Sequence, residues 1–233
     1  MNDLSVTNSY TRSWQSSFAD FAPVLEKLLA GAYRKCEVIY HTRHKECRLV
    51  TQEFSGLPYA AVLKLYREQR FFRYLLRPSM AYREFLGFKR ASAAGIPAAR
   101  VIALGEKRAG LRLKEAFFVT EYLAGFRDGD EFTRPDCDRA LRDEFIRINL
   151  CCLAKLHKAG LVHGGFHPRN ELFRLESDGS MTVKWIDLAT VLPVKKSGRF
   201  TQEKDVERFM REFPLSEEEK AGFISLYRSE KGI

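Results

Sequence analysis

Apolar positions recur with two periods, and the period changes partway along the chain. Short β-branched and aromatic runs bounded by turn residues predict three strands. They span about 35–41 (Lys35-Cys36-Glu37-Val38-Ile39-Tyr40), about 47–54, and 59–66 after the Gly56-Leu57-Pro58 turn. A helix is predicted over about 79–94, with Ser79 as its N-cap after Pro78 and Gly95-Ile96-Pro97 as its stop. Two further strands are predicted near 99–105 and 115–122. From Asp138 to Ala159, Leu141, Phe145, Ile148, Cys152 and Leu156 recur every three or four positions, which is one face of a helix. Strands over 171–175 and 181–186 flank Ser177-Asp178-Gly179-Ser180, a hairpin signal. Helices over about 201–212 and 216–229 follow, the second opened by Ser216 and Glu219 as a capping box. Residues 1–23 are polar with scattered aromatics and no period, and read as a loose leader or a short helix. The pattern therefore divides into a leader (1–23), a sheet-rich lobe with one helix (24–123) and a mostly helical lobe (124–233). The change falls near Tyr122 to Gly125.

Length and composition narrow this picture without changing it. At 233 residues, 45% of them hydrophobic, the chain can form a core and is neither disordered, collagen-like nor a disulfide miniprotein. Its 39 Lys and Arg against 30 Asp and Glu leave a net charge of +9, which suits an anionic partner. Five cysteines, an odd number without a Cys-x-x-Cys, are expected to be reduced, as in the cytosol. No stretch reaches the roughly 18 apolar residues of a membrane span, and the start lacks the basic and apolar regions of a signal peptide. Cys36, His41, His44 and Cys47 invite a zinc reading. Pairing around 42–45 would put Tyr40 opposite Cys47 and the two cysteines roughly 13 Å apart, too far for one site.

Three polar signals sit at informative places. Lys64 lies within the apolar run Ala61-Val62-Leu63-Lys64-Leu65, on the strand face of Val62 and Tyr66, and Glu84 falls on the next helix. A strand lysine paired with a glutamate from the following helix is how protein kinases hold ATP phosphates. The run His163-Gly164-Gly165-Phe166-His167-Pro168-Arg169-Asn170, then Val183-Lys184-Trp185-Ile186-Asp187-Leu188, resembles the catalytic loop and metal-binding turn of small-molecule kinases. With Val62–Arg67, Arg83-Glu84-Phe85, Ala94–Ala98, Gly105–Arg108 and Phe118–Tyr122, the chain resembles the lipopolysaccharide core kinases, the Kdo/WaaP or InaA-like family, over about 34–228.

That resemblance implies an α+β, two-lobed protein-kinase-like fold and ATP-dependent phosphorylation of an inner-core sugar, Kdo or heptose. It implies Mg²⁺ on Asn170 and Asp187, Lys64 and Glu84 at the phosphates, and Glu121 to Leu123 as the hinge receiving adenine. His163 would brace the loop and Asp205 would anchor it. The protein would be cytoplasmic, peripheral on the inner face of the membrane that carries its lipid-linked sugar.

Two positions depart from the family. Gly165 stands where the catalytic aspartate is expected, with His167 the nearest titratable substitute and Asp128, Asp130 and Glu171 as unplaced carboxylates. The alternative is therefore a pseudokinase that binds nucleotide or a partner without transfer. The hairpin tip Tyr40–Lys45 has no glycine, so side-chain cations would have to face the nucleotide. Residues 64–90 carry six of the nine surplus charges. There Arg70, Arg73 and Arg77 fall at helical spacing among aromatics, a stripe suited to an anionic membrane or glycolipid. No nucleic-acid-binding pattern is present.

Overall fold

The computed structural model describes residues 2–7, 11–16, 22–67, 78–109 and 112–232. The chain divides into two compact units, residues 1–85 with 99–123, and residues 86–98 with 124–233. The Arg70–Arg73–Arg77 stripe lies outside the described residues.

The first unit is built on a seven-stranded antiparallel sheet. Its strands are β1 (Asn2–Thr7), β2 (Thr11–Ser16), β3 (Glu37–His41), β4 (Lys45–Val50), β5 (Ala61–Arg67), β6 (Val101–Ala109) and β7 (Arg112–Glu121), in the order β1-β2-β6-β7-β5-β4-β3. The leader expectation is corrected here. Residues 2–16 form a hairpin whose second strand pairs with β6, Thr11 opposite Arg108 and Ser16 opposite Ala103. A strand that extends a sheet edge can be polar throughout, so it leaves no apolar period to read. A second correction concerns 47–54: β4 stops at Val50 and a helical turn, Gln52–Ser55, follows. Thr51 Oγ1 accepts the Phe54 N–H, and Gly56 closes the turn at φ 70°.

Alternation along β5 creates the two faces that matter. Ala61, Leu63 and Leu65 point into a core with Ile102, Phe117 and Val119, covered by Val24, Leu25 and Leu28 of helix α1 (Ala22–Leu29). Lys64 and Tyr66 necessarily point to the opposite face. There helix α3 (Met80–Ala93) begins, α2 being the turn at Gln52–Ser55. Ser79 caps α3 by accepting the Tyr82 N–H at 3.1 Å, as predicted.

The second unit is mostly helical, with α4 (Arg139–Lys158), α5 (Gln202–Arg211) and α6 (Glu217–Lys231). It also holds the last turns of α3, which stop at Gly95 (φ 72°) with Ile96 N–H donating to Ala91 O. Asp138 caps α4, and Ser216 with Glu219 forms the predicted capping box of α6. Arg142, 3% exposed, ties α4 to α6 through Glu219 and the Pro214 carbonyl. Phe132, Phe145, Phe166, Phe173, Phe209 and Trp185 are fully buried, and Phe166 packs on Phe209 and Trp185 at 4.5 and 4.8 Å between ring centroids. A small sheet of β8 (Arg127–Asp128), β10 (Glu171–Leu175) and β11 (Met181–Trp185) lies against this core. A two-stranded ribbon pairs β9 (Leu161–Val162) with β12 (Leu192–Pro193).

Candidate active site

In the first unit, Lys64 Nζ lies 2.5 Å from Glu84 Oε1, with Glu84 wholly buried and Lys64 7% exposed. A buried charge persists only when paired, so each residue requires the other. The Tyr66 hydroxyl donates to the second oxygen of Glu84. Across the sheet Lys64 faces Cys47 on β4 and Phe118 on β7. At the β3–β4 tip, Thr42 closes the turn. Its hydroxyl accepts the Lys45 N–H at 3.1 Å while its own N–H donates to Lys45 O at 2.7 Å. His41, Arg43 and His44 are exposed there. Glu121 turns its carboxylate to Arg100, accepting the backbone N–H at 2.9 Å. Leu123 is buried and ends this unit.

In the second unit the loop 163–170 is held from below by one carboxylate. Asp205 on α5 accepts the backbone N–H groups of His163 at 2.6 Å and Gly164 at 2.8 Å, and Oδ2 lies 3.3 Å from His157 Nε2. His157 is fixed in turn by the Tyr227 hydroxyl at 2.6 Å from Nδ1. Gly164 sits at φ 72°, the left-handed turn that bends the loop over Asp205. His163 is fully buried between Phe166 and Trp185, with no hydrogen-bond partner on either ring nitrogen among the described residues. Burial drives its pKa down to about 4 against the opposing pull of Asp205 and Asp187, so the ring is neutral. Its ring packs against both aromatics, 5.2 Å from Phe166 and 5.5 Å from Trp185 between centroids. Trp185 is locked by Asn149, whose Oδ1 accepts the indole N–H at 2.7 Å.

Asn170 and Asp187 are brought together by the β10–β11 hairpin. Glu171 pairs with Trp185, and one step further the Ile186 N–H donates to Asn170 O at 2.8 Å. Asn170 and the residue before Asp187 are therefore opposite one another at the open end of the hairpin. Asp187 is the sole non-glycine residue among those described with positive φ, at 57° with ψ 50°. Left-handed backbone outside glycine costs energy and concentrates at functional positions.

His167 is placed differently from its role as a substitute base. Its Nδ1 accepts the Arg169 backbone N–H at 3.2 Å, and Nε2 lies 3.4 Å from Glu212 Oε2. With both nitrogens engaged, neither presents a lone pair to a hydroxyl. His167 instead opens the Pro168–Asn170 turn as its cap. The three unplaced carboxylates separate cleanly. Asp128 is exposed and accepts the Asp130 N–H, and Glu171 is wholly buried, its pKa raised by desolvation. Asp130 reaches the loop, its Oδ2 taking the Arg169 guanidinium at 2.8 Å. Beside it opens a cavity of about 600 Å³ lined by Phe126, Arg127, Asp130, Arg134 and Leu172 among others.

Sequence reasoning names Tyr66 and Asp130 but not their partners, Glu84 and Arg169. Tyr66 was legible as sharing the Lys64 face, but its reach to Glu84 depends on where the helix lies. Asp130 depends on a turn without any apolar period.

A buried lysine–glutamate pair on one unit, and a carboxylate-anchored loop with an Asn–Asp pair on the other, are features of a kinase-like fold. Residues 60–227 match the model of the Lipopolysaccharide kinase (Kdo/WaaP) family, and the chain belongs to that family. Among solved structures it is similar to one titled "WaaP in complex with acyl carrier protein". The likeness has 17% identity and a TM-score of 0.63, over 88% of this chain and 86% of that chain. At that identity the likeness supports the fold. No curated protein matches.

Proposed function

We propose that the protein transfers the γ-phosphoryl group of ATP to a hydroxyl of a Kdo or heptose sugar in the lipopolysaccharide inner core. The observation that supports this is the Ile186 N–H donating to Asn170 O at 2.8 Å, which brings the backbone of Asn170 next to the residue before Asp187, at the end of a loop anchored by Asp205. Both side chains are half-buried oxygen donors, the ligand type Mg²⁺ requires. Asn170 and Asp187 would hold that ion, which when bound neutralises phosphate charge. Lys64, aimed by Glu84, would bind the α- and β-phosphates, and Glu121 to Leu123 would receive the adenine. In transfer, the sugar hydroxyl oxygen bonds to the γ-phosphorus, the bond to the β–γ bridging oxygen breaks to release ADP, and the hydroxyl proton passes to solvent. A loose transition state asks more of positioning than of a base. A loop with Gly165 in place of aspartate is compatible with that demand.

A second reading, nucleotide binding without transfer, draws on one specific observation: Gly165 offers no carboxylate and His167 has both nitrogens occupied. Incubation with labelled ATP, Mg²⁺ and two deacylated core acceptors, one ending in Kdo and one in heptose, separates the readings. Label on one acceptor identifies the sugar. Label on neither, with nucleotide still bound, establishes the second reading. The protein is proposed to work in the cytoplasm at the inner membrane face. Among the described residues no helix is long and apolar enough to cross a membrane.

A further inference from the structure

We propose that Tyr66 is a positioning residue for nucleotide phosphates, acting through Glu84 on Lys64. The inference rests on the reading of Lys64 given above.

Glu84 is 0% exposed, so its two oxygens depend on partners within the protein. Oε1 is taken by the Lys64 ammonium, and Oε2 by the Tyr66 hydroxyl. Lys64 and Tyr66 are two residues apart on β5 and share its face, so both partners come from one rigid strand. A carboxylate held at one oxygen can rotate about its last bond, whereas one held at both cannot. The hydroxyl thus fixes the plane of Glu84, and that plane sets the direction in which Lys64 is held. The lysine stem has four rotatable bonds and no fixed fork of its own, so its aim comes from its partner. Tyr66 is itself secured, 8% exposed and paired across the sheet with Lys45 on β4 and Ala116 on β7. Among the described residues, the charged and titratable groups on this sheet face include Tyr40, Lys45, Cys47, Lys64 and Tyr66, with Glu106 opposite Ala116 on β6.

A positioning role and a merely structural one differ in what they do to two ligands. Lys64 acts on phosphates, so loss of its aim weakens ATP and leaves adenosine untouched. General loosening of the fold weakens both together.

The test measures affinities of the full chain for Mg-ATP and for adenosine by calorimetry. Wild type is expected to prefer ATP, and Lys64→Met to lose that preference. Tyr66→Phe is expected to lower the preference about 3- to 10-fold with adenosine affinity unchanged. Para-aminophenylalanine at position 66, which restores an N–H donor on the same ring, is expected to recover it. An unchanged preference in Tyr66→Phe, with Lys64→Met defective, overturns the role of Tyr66 and spares that of Lys64. An intact preference in Lys64→Met overturns both. Should Tyr66→Phe not fold, the para-amino variant decides alone: folded protein without the ATP preference contradicts the proposal.

Discussion

The carboxylate of Asp205 on α5 accepts the backbone N–H of His163 at 2.6 Å, across 42 residues of chain. With the Gly164 N–H at 2.8 Å on its other oxygen, it binds the loop through main chain, so the contact is independent of loop side chains. Asp205→Ala leaves two buried N–H groups and His157 without this acceptor. Each orphaned buried donor costs about 1–3 kcal/mol, so a loss of about 3 kcal/mol in urea unfolding is expected. Asp205→Asn, keeping one acceptor oxygen, should lose less.

His163 makes stability fall in acid. Its pKa is lowered from the usual 6.5 to about 4 in the folded protein, so the unfolded chain takes up the proton first. The stabilisation from keeping the ring neutral is complete above pH 6.5 and is lost as pH falls toward 4. At 1.36 kcal/mol per unit this amounts to about 3 kcal/mol. Urea midpoints measured across that window should fall in wild type, and His163→Phe should flatten this part of the profile.

Glu171 works in the opposite direction. Burial raises its pKa, with Asp130 adding to the effect and the His167 backbone N–H opposing it. The folded state holds the acid neutral while the unfolded chain ionises it, so this group's stabilisation is full below the ordinary glutamate range and declines as pH rises. Glu171→Gln, the same shape without the titration, should melt higher than wild type at pH 8 and nearly equal to it at pH 4.

Gly87 is required for space. A Cβ there would stand 1.8 Å from Leu188 O, in the turn directly after Asp187. Gly87→Ala must move backbone, and overpacking of this kind costs about 1–3 kcal/mol or more. Melting should drop, and Mg-nucleotide affinity should drop with it because Asp187 shifts.

Gly165 is not required for its backbone: its φ is not left-handed, and its Cβ would meet one side chain, Thr190 Oγ1 at 3.1 Å. Gly165→Asp should therefore fold and keep or raise single-turnover transfer. His167→Ala should slow transfer equally in both backgrounds, because the ring caps a turn. A loss confined to the Gly165 background would show instead that His167 takes the proton.

Much of this was legible in the chain, and the failures share a cause. The helices carrying the loop and its anchor, α4 and α5, have strong apolar periods and capping residues, and the Ser177–Ser180 hairpin signal fixed the relation of Asn170 to Asp187. The N-terminal hairpin and the Asp130 turn are polar and owe their shape to strands elsewhere in the sequence. The sequence leaves His167 open between a base and a turn residue, because Glu212, 45 positions away in the chain, is not placed beside it until the helices pack.

Under the proposed function, Lys64, Asn170 and Asp187 each contribute to binding Mg-nucleotide. A ligand at 100 times its Kd stabilises a fold by about 2.7 kcal/mol, a clear rise in melting temperature. The direct measurement is the melting temperature of wild type and Asp187→Asn with and without millimolar Mg-ATP. The predicted result is a rise in wild type that is mostly abolished in the variant. No rise in wild type with any Mg-nucleotide would contradict the account.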